Sequence, residues 1–238
     1  MRLTGPVWRA FLFVVLVTLA GPAVGEEASV PVPKPRPAAG DTAVKASKPA
    51  QRPGLPKDEM ACRKRLEDLG VRFSPVKRIT GKSGCGIRYP IEISRLPGDV
   101  RLSGRTVLNC RTGEALALWT KKIAAPEAKK RFNASLRKID QYASYHCRTR
   151  NSLKGTKLSE HAKGNAIDLG RFHLSDGTIV DVASRPAKKS AQAAFLKALR
   201  DAGCTFFATV LGPGSDPYHD THFHFDTARR RNGSRYCK

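Results

Sequence analysis

Two short segments near the C-terminus hold four of the six histidines of this chain. The first has the sequence SEHAKGNAID and ends at Asp168, and the second has the sequence HDTHFH and ends at His224. Catalytic zinc usually has three protein ligands, drawn from His nitrogens and Asp or Glu oxygens, and keeps a further position for water. The two segments therefore contain the residue types of a catalytic zinc site.

We predict that His161 and Asp168 are two of these ligands and that one member of the pair His222 and His224 is the third. A His and an Asp seven residues apart converge if the backbone between them turns, and the intervening Gly164-Asn165 favours a turn. Residues 166–169 then form a short buried strand that presents the carboxylate.

In the second segment, the alternation of side chains along an extended strand determines which residues share a face. Because residues two apart point to the same side, His222, His224 and Asp226 would share one face, and Phe223 and Phe225 would pack on the other. A lone histidine in a strand is more often a hydrogen-bonded structural group, but four clustered histidines with an aspartate argue against that reading here. We interpret the other two, at 146 and 173, as surface or packing residues.

The predicted chemistry is hydrolysis. Zinc lowers the pKa of bound water and polarises a carbonyl, and His222 is our candidate for the proton shuttle, since imidazole titrates near neutral pH. Arg148 is a candidate to stabilise the oxyanion and bind substrate. Ser159 either has a functional role, in which it binds substrate or orients the metal ligand, or only caps a turn, and the sequence leaves these alternatives equal.

The pattern Ser-x-His-x-x-Gly-x-Ala-x-Asp with a later His-x-His resembles the LAS-group zinc peptidases, which comprise D-alanyl-D-alanine carboxypeptidases and peptidoglycan endopeptidases. The segment HDTHFH is particularly similar to the penicillin-insensitive murein endopeptidases. Over roughly Cys62 to Cys237 the chain also resembles the bacterial extensin-like C-terminal domain, through GCGI at 84–87, YHCR at 145–148 and the first histidine segment.

This resemblance implies that His161, Asp168 and His224 bind Zn²⁺, that His222 is the catalytic base and that His219 is another active-site histidine. Related carboxypeptidases have a Glu near the base position, and no such Glu precedes His224. This departure favours the endopeptidase-like version. The implied fold is α+β, hedgehog/DD-peptidase-like, with a small antiparallel sheet flanked by helices and stapled by disulfides.

The N-terminus has the form of an export signal. Residues 1–25 combine a basic start, the apolar run Phe11–Ala20 and small residues before Glu26, which is typical of a cleaved signal peptide. The apolar run is shorter than the ~20 residues of a membrane-spanning helix, so we expect no stable membrane span after cleavage. Residues 26–58 are rich in Pro, Ala and Lys, which predicts a disordered linker, and residues 59–238 are long enough for one domain.

An even number of cysteines, six, in an exported chain indicates disulfides. Sequence alone does not choose among fifteen connectivities. Pairing neighbours along the chain predicts three bridges: Cys62–Cys85, Cys110–Cys147 and Cys204–Cys237.

Periodicity and turn residues predict mixed secondary structure. We expect helices over 59–69, from 108 through 119, from Pro126 with Phe132, Leu136, Ile139 and Ala143 at helical spacing, and over 190–202 with a stop at Gly203. Short strands are expected within 87–102 and over 165–169, 178–182, 206–211 and 221–226. Helices gathered around short hairpins indicate an α+β fold.

The formal net charge is +23, and most of it lies in residues 59–238. A basic domain favours an anionic partner, and export argues against nucleic acid, so we expect no nucleic-acid partner. Peptidoglycan, with free carboxylates on its peptides, fits both compartment and chemistry, and other anionic cell-envelope polymers are compatible with the charge. We therefore predict a periplasmic or secreted zinc peptidase that cleaves wall peptides at D-alanyl cross-links. The alternatives are a D,D-carboxypeptidase that trims terminal D-alanine and a non-catalytic peptidoglycan-binding module.

Overall fold

A computed structural model describes residues 54–238. The predicted signal peptide, residues 1–25, and residues 26–53 of the predicted linker lie outside this range. The first helix begins at Lys57, so residues 57 and 58 of the predicted linker belong to a helix.

Four α-helices lie within the described residues, and a π-helical turn at Thr120–Ala124 joins the second to the third. Their bounds are α1 Lys57–Asp68, α2 Cys110–Trp119, α3 Ala125–Phe132 and α4 Ala191–Phe206. The expected helices at α1 and α2 are confirmed. The fourth helix begins as expected after Ser190, whose side chain accepts a hydrogen bond from the backbone N of Ala193, which is the usual role of an N-cap.

The described strands are β1 Arg72–Pro75, β2 Ile79–Thr80, β3 Gly86–Ile87, β4 Pro90–Leu96, β5 Val100–Asn109, β6 Leu136–Ala143, β7 Ala166–Leu174, β8 Ile179–Asp181, β9 Thr209–Leu211, β10 Phe223–Asp226 and β11 Tyr236–Cys237. Nine form one sheet in the order β1-β4-β5-β6-β7-β10-β9-β11, with β8 paired to β7, and β2 pairs with β3 separately. The pairs β5/β6 and β9/β11 are parallel and the others antiparallel. The mixed α and β architecture is confirmed, but the sheet is neither small nor wholly antiparallel.

The helix expected to continue from Pro126 to Ala143 is wrong in its second half. Helix α3 ends at Phe132, where Asn133 adopts a left-handed conformation with φ 53°, a common helix terminator. Leu136 and Ile139 belong to β6 and are buried. A register shift between Leu136 and Lys138 interrupts the alternation of the strand, so two buried residues acquire a spacing of three that imitates a helix.

The stop expected at Gly203 is also wrong, because α4 continues to Phe206. Gly203 is buried within the helix, and a Cβ on it would lie 3.2 Å from Cζ of Phe225. The glycine therefore permits close packing of α4 on the sheet rather than ending the helix.

The hydrophobic core lies between the helices and the sheet. Trp119 of α2 contacts Phe225 of β10 edge to face, with ring centroids 5.2 Å apart, and its Nε1 donates a hydrogen bond to the carbonyl of Leu199 in α4. Phe172 of β7 and Phe223 of β10 are buried in the same core. Because β10 places Phe223 and Phe225 in this core, the residue between them, His224, must face the opposite side.

Three disulfides link the described elements, and only Cys204–Cys237 was paired correctly. The other two are Cys62–Cys110 and Cys85–Cys147, so the expected Cys62–Cys85 and Cys110–Cys147 bridges are wrong. Helix α1 packs on α2, which brings Cys62 to Cys110 at the first residue of α2. Chain order does not reveal that contact.

None of the helices within residues 54–238 combines the length and apolarity that crossing a membrane requires.

Candidate metal site and its cavity

The pairing of β7 with β10 brings the two histidine segments together. The strands are antiparallel, and Asp168 lies directly opposite His224. Side chains at opposed positions project to the same face of a sheet, and the other face is filled by the core phenylalanines of β10. The expected burial of Phe223 and Phe225 behind the histidine face is therefore confirmed.

A tight turn delivers His161 to this face. Residues Glu160–Lys163 form a 3₁₀ turn that ends at Gly164, whose φ of 66° is left-handed. A Cβ on Gly164 would collide with the side chain of Ile87, so glycine is required there for two reasons. At the start of the turn, the hydroxyl of Ser159 accepts a hydrogen bond of 3.4 Å from the backbone N of His161.

His161, Asp168 and His224 form a compact buried cluster. His161 Nε2 lies 3.2 Å from Asp168 Oδ1 and 3.2 Å from His224 Nδ1, and His224 Nδ1 lies 2.9 Å from Asp168 Oδ1. Ligands about 2.0–2.1 Å from a tetrahedral zinc lie roughly 3.3 Å from one another. These three atoms therefore have the spacing and the donor types of a zinc ligand set. Within residues 54–238, no other three His, Cys, Asp or Glu residues bring ligand atoms within 4.8 Å of one another.

The second nitrogen of each histidine in the cluster has its own partner. His161 Nδ1 lies 2.7 Å from the carbonyl oxygen of Ser144, which can only accept, so Nδ1 donates. His224 Nε2 lies 3.2 Å from Oδ2 of Asp226. Such outer partners fix the tautomer and orientation of a ligating histidine. The remaining nitrogens, His161 Nε2 and His224 Nδ1, face each other and Asp168 Oδ1, where a cation would take the place of the protons that they share with the carboxylate.

The clustered charges shift each other's pKa values. Burial alone would raise the pKa of Asp168, but hydrogen bonds from His161 and His224 outweigh burial and hold it well below its usual range. Burial alone would lower the pKa of His224, but its hydrogen bonds to Asp168 and Asp226 raise it to about 9. The site thus favours positive charge next to the Asp168 carboxylate.

His222 lies beside this cluster rather than within it. Its Nε2 is 3.7 Å from Asp168 Oδ1, beyond normal hydrogen-bond distance. Burial, the largest influence, lowers the pKa of His222 against the opposing charge of Asp168. His222 is therefore a half-buried imidazole next to the three clustered groups, and its Nε2 forms no hydrogen bond within residues 54–238.

His219 is held by an aspartate that sequence reasoning did not select. Its Nδ1 lies 2.7 Å and 2.9 Å from the two carboxylate oxygens of Asp216. Its ring lies 5.4 Å from that of His222 and 5.5 Å from that of His224. Asp216 lies three residues before His219 in a loop that contains Pro and Gly. An Asp at this spacing often forms local hydrogen bonds, so the sequence did contain an indication of this contact.

Arg148 and Ser159 also border the cluster. Arg148 Nη2 lies 4.0 Å from Asp168 Oδ2, so the guanidinium is close to the carboxylate without a firm hydrogen bond. Ser159 is buried, and its hydroxyl is used to cap the turn before His161. The structure therefore gives Ser159 the capping contact, one of the two roles left open by the sequence.

Residues 60–238 match the family described as Extensin-like protein C-terminus. The chain belongs to this family. The extensin-like resemblance expected from the sequence is confirmed over three quarters of the chain. No curated protein and no solved structure matches the chain.

In this extensin-like domain the cluster lies in a cavity of about 390 Å³. Its walls include Arg148, Ser159, His219 and His222, so all the predicted site residues border one space. The two remaining histidines are elsewhere: His146 is exposed, and His173 Nε2 lies 2.7 Å from Asp140 Oδ2.

Three contributors to the site were not predicted as functional. They are the carbonyl of Ser144, the carboxylate of Asp216 and the hydrogen bond of Asp226 to His224. Alternation placed Asp226 on the correct face, but a strand pattern does not indicate which neighbours will bond. A backbone carbonyl such as that of Ser144 leaves no signal in a sequence at all.

Proposed function

We propose that this protein is an exported, zinc-dependent peptidase that hydrolyses an amide in peptidoglycan peptides, with D-alanyl cross-links as its substrate. The observation that carries the proposal is the ligand-like spacing of His161, Asp168 and His224, with the unbound Nε2 of His222 beside them. Three protein ligands in an open cavity are typical of catalytic rather than structural zinc.

Zn²⁺ held by His161 Nε2, Asp168 Oδ1 and His224 Nδ1 would lower the pKa of water and polarise a substrate carbonyl. The protein groups supply the rest of the chemistry. His222 Nε2 would accept a proton from the attacking water and return it to the leaving amine. Arg148 would place positive charge beside the developing oxyanion, and the hydrogen bond that His219 Nδ1 donates to Asp216 would orient the His219 ring toward the substrate.

The resemblance to LAS-group peptidases supports this assignment. The motif positions of that group fall on His161, Asp168 and His224, and these residues meet in one cavity. We further propose that the domain shares the hedgehog/DD-peptidase-like arrangement of that group. The absence of a Glu before His224 in the sequence favours the endopeptidase version.

The substrate class follows from compartment and charge. A signal-like N-terminus and three disulfides are typical of the cell envelope or exterior, where disulfides persist. A strongly basic domain favours an anionic partner. Peptidoglycan carries free carboxylates next to its amide bonds, so it satisfies both requirements.

The test is to load the purified protein with zinc, incubate it with cross-linked peptidoglycan fragments and follow the products by mass spectrometry. Chelator-sensitive conversion of dimers to monomers supports the endopeptidase, and loss of terminal D-alanine alone selects the carboxypeptidase. If zinc and fragments both bind but no product forms, the protein is a peptidoglycan-binding module and the proposal is wrong.

A further inference from the structure

A second cavity, of about 520 Å³, lies on the other side of Glu160, which borders both cavities. Its walls come from the start of α1, the start of α2 and the chain that follows β10. Two arginines face it, Arg111 at the second position of α2 and Arg229 three residues after β10. Neither is part of the metal cluster or of its cavity.

A buried contact holds the two arginines near each other. The hydroxyls of Thr112 and Thr227, both buried, lie 2.7 Å apart and join α2 to the segment after β10. The backbone N of Thr227 also donates to the carbonyl of Asn165 at 2.9 Å. Arg111 precedes one threonine directly and Arg229 follows the other by two residues, so the backbone holds both arginines at the wall of the same cavity.

The other charges of this cavity are mostly paired. Glu114 binds Arg65 through both carboxylate oxygens, Glu59 binds Arg63, and Glu160 binds Lys163 and Asn165. Asp58 is exposed at the start of α1.

Across residues 54–238, no side chain forms a hydrogen bond or an ion pair with the guanidinium of Arg111 or Arg229. Both arginines are exposed. Partial burial and, next in size, the charge of Arg229 lower the pKa of Arg111, and the negative charges of Asp226 and Glu160 oppose this shift. An anion placed between the two guanidinium groups would relieve this repulsion, and the positive end of the α2 dipole adds to the attraction.

We propose that Arg111 and Arg229 form a second binding site for a carboxylate on a peptidoglycan peptide, adjacent to the metal cavity. The assignment rests on the proposed function for the identity of the substrate. Guanidinium groups match the planar, bidentate geometry of carboxylates. A cross-linked substrate has two peptide arms, so one arm would enter the metal cavity while the carboxylate of the other passes Glu160 to reach the arginine pair. Binding energy gained away from the scissile bond can then serve the reaction.

The test measures binding rather than turnover. Zinc-loaded protein carrying His222→Ala, which prevents turnover if His222 is the base, is titrated calorimetrically with a soluble cross-linked muropeptide dimer. The double variant Arg111→Gln/Arg229→Gln is compared with Arg101→Gln/Arg137→Gln. The control removes the same charge from exposed positions outside both cavities.

We expect the first double variant to bind the dimer at least about tenfold more weakly, as for the loss of charge-assisted hydrogen bonds, and the control to bind as the parent does. A dimer with amidated carboxylates should bind the parent no better than the acid form binds Arg111→Gln/Arg229→Gln. Equal weakening by both double variants would overturn the inference, because it indicates diffuse electrostatic attraction. No effect of amidation would overturn it too, because it shows that the carboxylates do not contribute to binding.

The two proposals fail separately. If the hydrolysis assay yields no product while the arginine pair and amidation effects persist, the peptidase proposal falls and the carboxylate site stands. If hydrolysis is found but the double variant binds and cleaves the dimer like the control, the peptidase stands and the second site falls.

Discussion

Asp226 Oδ2 lies 3.2 Å from Nε2 of His224, on the far side of the ring from the Nδ1 that faces Asp168 and His161. The two residues are neighbours on one face of β10, and the backbone N of Ala228 donates to the other Asp226 oxygen at 2.9 Å. The strand therefore carries both a candidate metal ligand and the group that orients it.

Asp226→Asn should weaken zinc binding without removing a ligand. The amide replaces a carboxylate, so His224 loses the charge that increases its basicity, and the affinity should fall about 10- to 100-fold, as for other outer partners of ligating histidines. Competition with a chromogenic chelator measures this. An unchanged affinity would mean that Asp226 only completes the fold of β10.

Asp168→Asn and His222→Ala should separate metal binding from catalysis. Asp168 contributes one of the three clustered ligand atoms, so its loss should remove most of the bound zinc after dialysis. His222 lies outside the three, so His222→Ala should keep most of the metal while hydrolysis falls at least about 100-fold, the scale of a lost general base. Elemental analysis and the fragment assay report the two quantities. Equal loss of metal in both variants would contradict the role of His222.

The face on which each site residue lies was predictable because it depends on local rules, whereas the pairing of β7 with β10 that joins the two histidine segments is a long-range contact. Alternation along β10 and the glycine turn after His161 determine which side chains share a face. The Cys62–Cys110 bridge was not predictable in the same way, since it depends on how α1 packs on α2. Strand β6 was missed because a bulge gave Leu136 and Ile139 a helical spacing. Long-range packing and local irregularity thus account for the errors.

Gly170→Ala should affect activity more than stability. The ring of Tyr142 lies over Gly170, and a Cβ there would overlap the ring. Tyr142 is 46% exposed, so the ring can swing outward, and the free energy of unfolding should change by less than about 1 kcal/mol.

The same ring lies 6.4 Å from that of His222, so its displacement should lower kcat/KM about 10- to 100-fold, as expected for a small misplacement of a catalytic group. Tyr142→Ala should match Gly170→Ala, and Tyr142→Phe should behave as wild type. Thermal unfolding and the fragment assay test this, and wild-type activity in Gly170→Ala would refute a positioning role for Tyr142.

Loss of the Cys204–Cys237 disulfide should destabilise the domain by about 3–4 kcal/mol, since the bridge closes a loop of intermediate length in the unfolded chain. The bridge also ties β11 to α4, and β11 pairs with β9, which pairs with β10 beside His224. Cys204→Ala/Cys237→Ala should therefore also release zinc at a lower urea concentration than wild type does. Denaturation followed by circular dichroism and by a zinc indicator measures both. Zinc release that coincides with the wild-type transition would show that β11 does not support the site.

Acid should weaken the domain partly through Asp140. Its Oδ2 lies 2.7 Å from His173 Nε2, and its Oδ1 lies 3.0 Å from Lys138 Nζ. Burial alone would raise the pKa of Asp140, but the bonds from His173 and Lys138 hold it below its usual value.

A carboxyl whose pKa is lowered by folding contributes stability above its unfolded pKa of about 3.9, and that contribution is lost as the pH falls through the folded value. Asp140→Asn should therefore cost about 1 kcal/mol near pH 5, and the difference from wild type should shrink toward about pH 3. Urea unfolding of both proteins at the two pH values tests this, and a difference that grows in acid would show that folding does not lower this pKa.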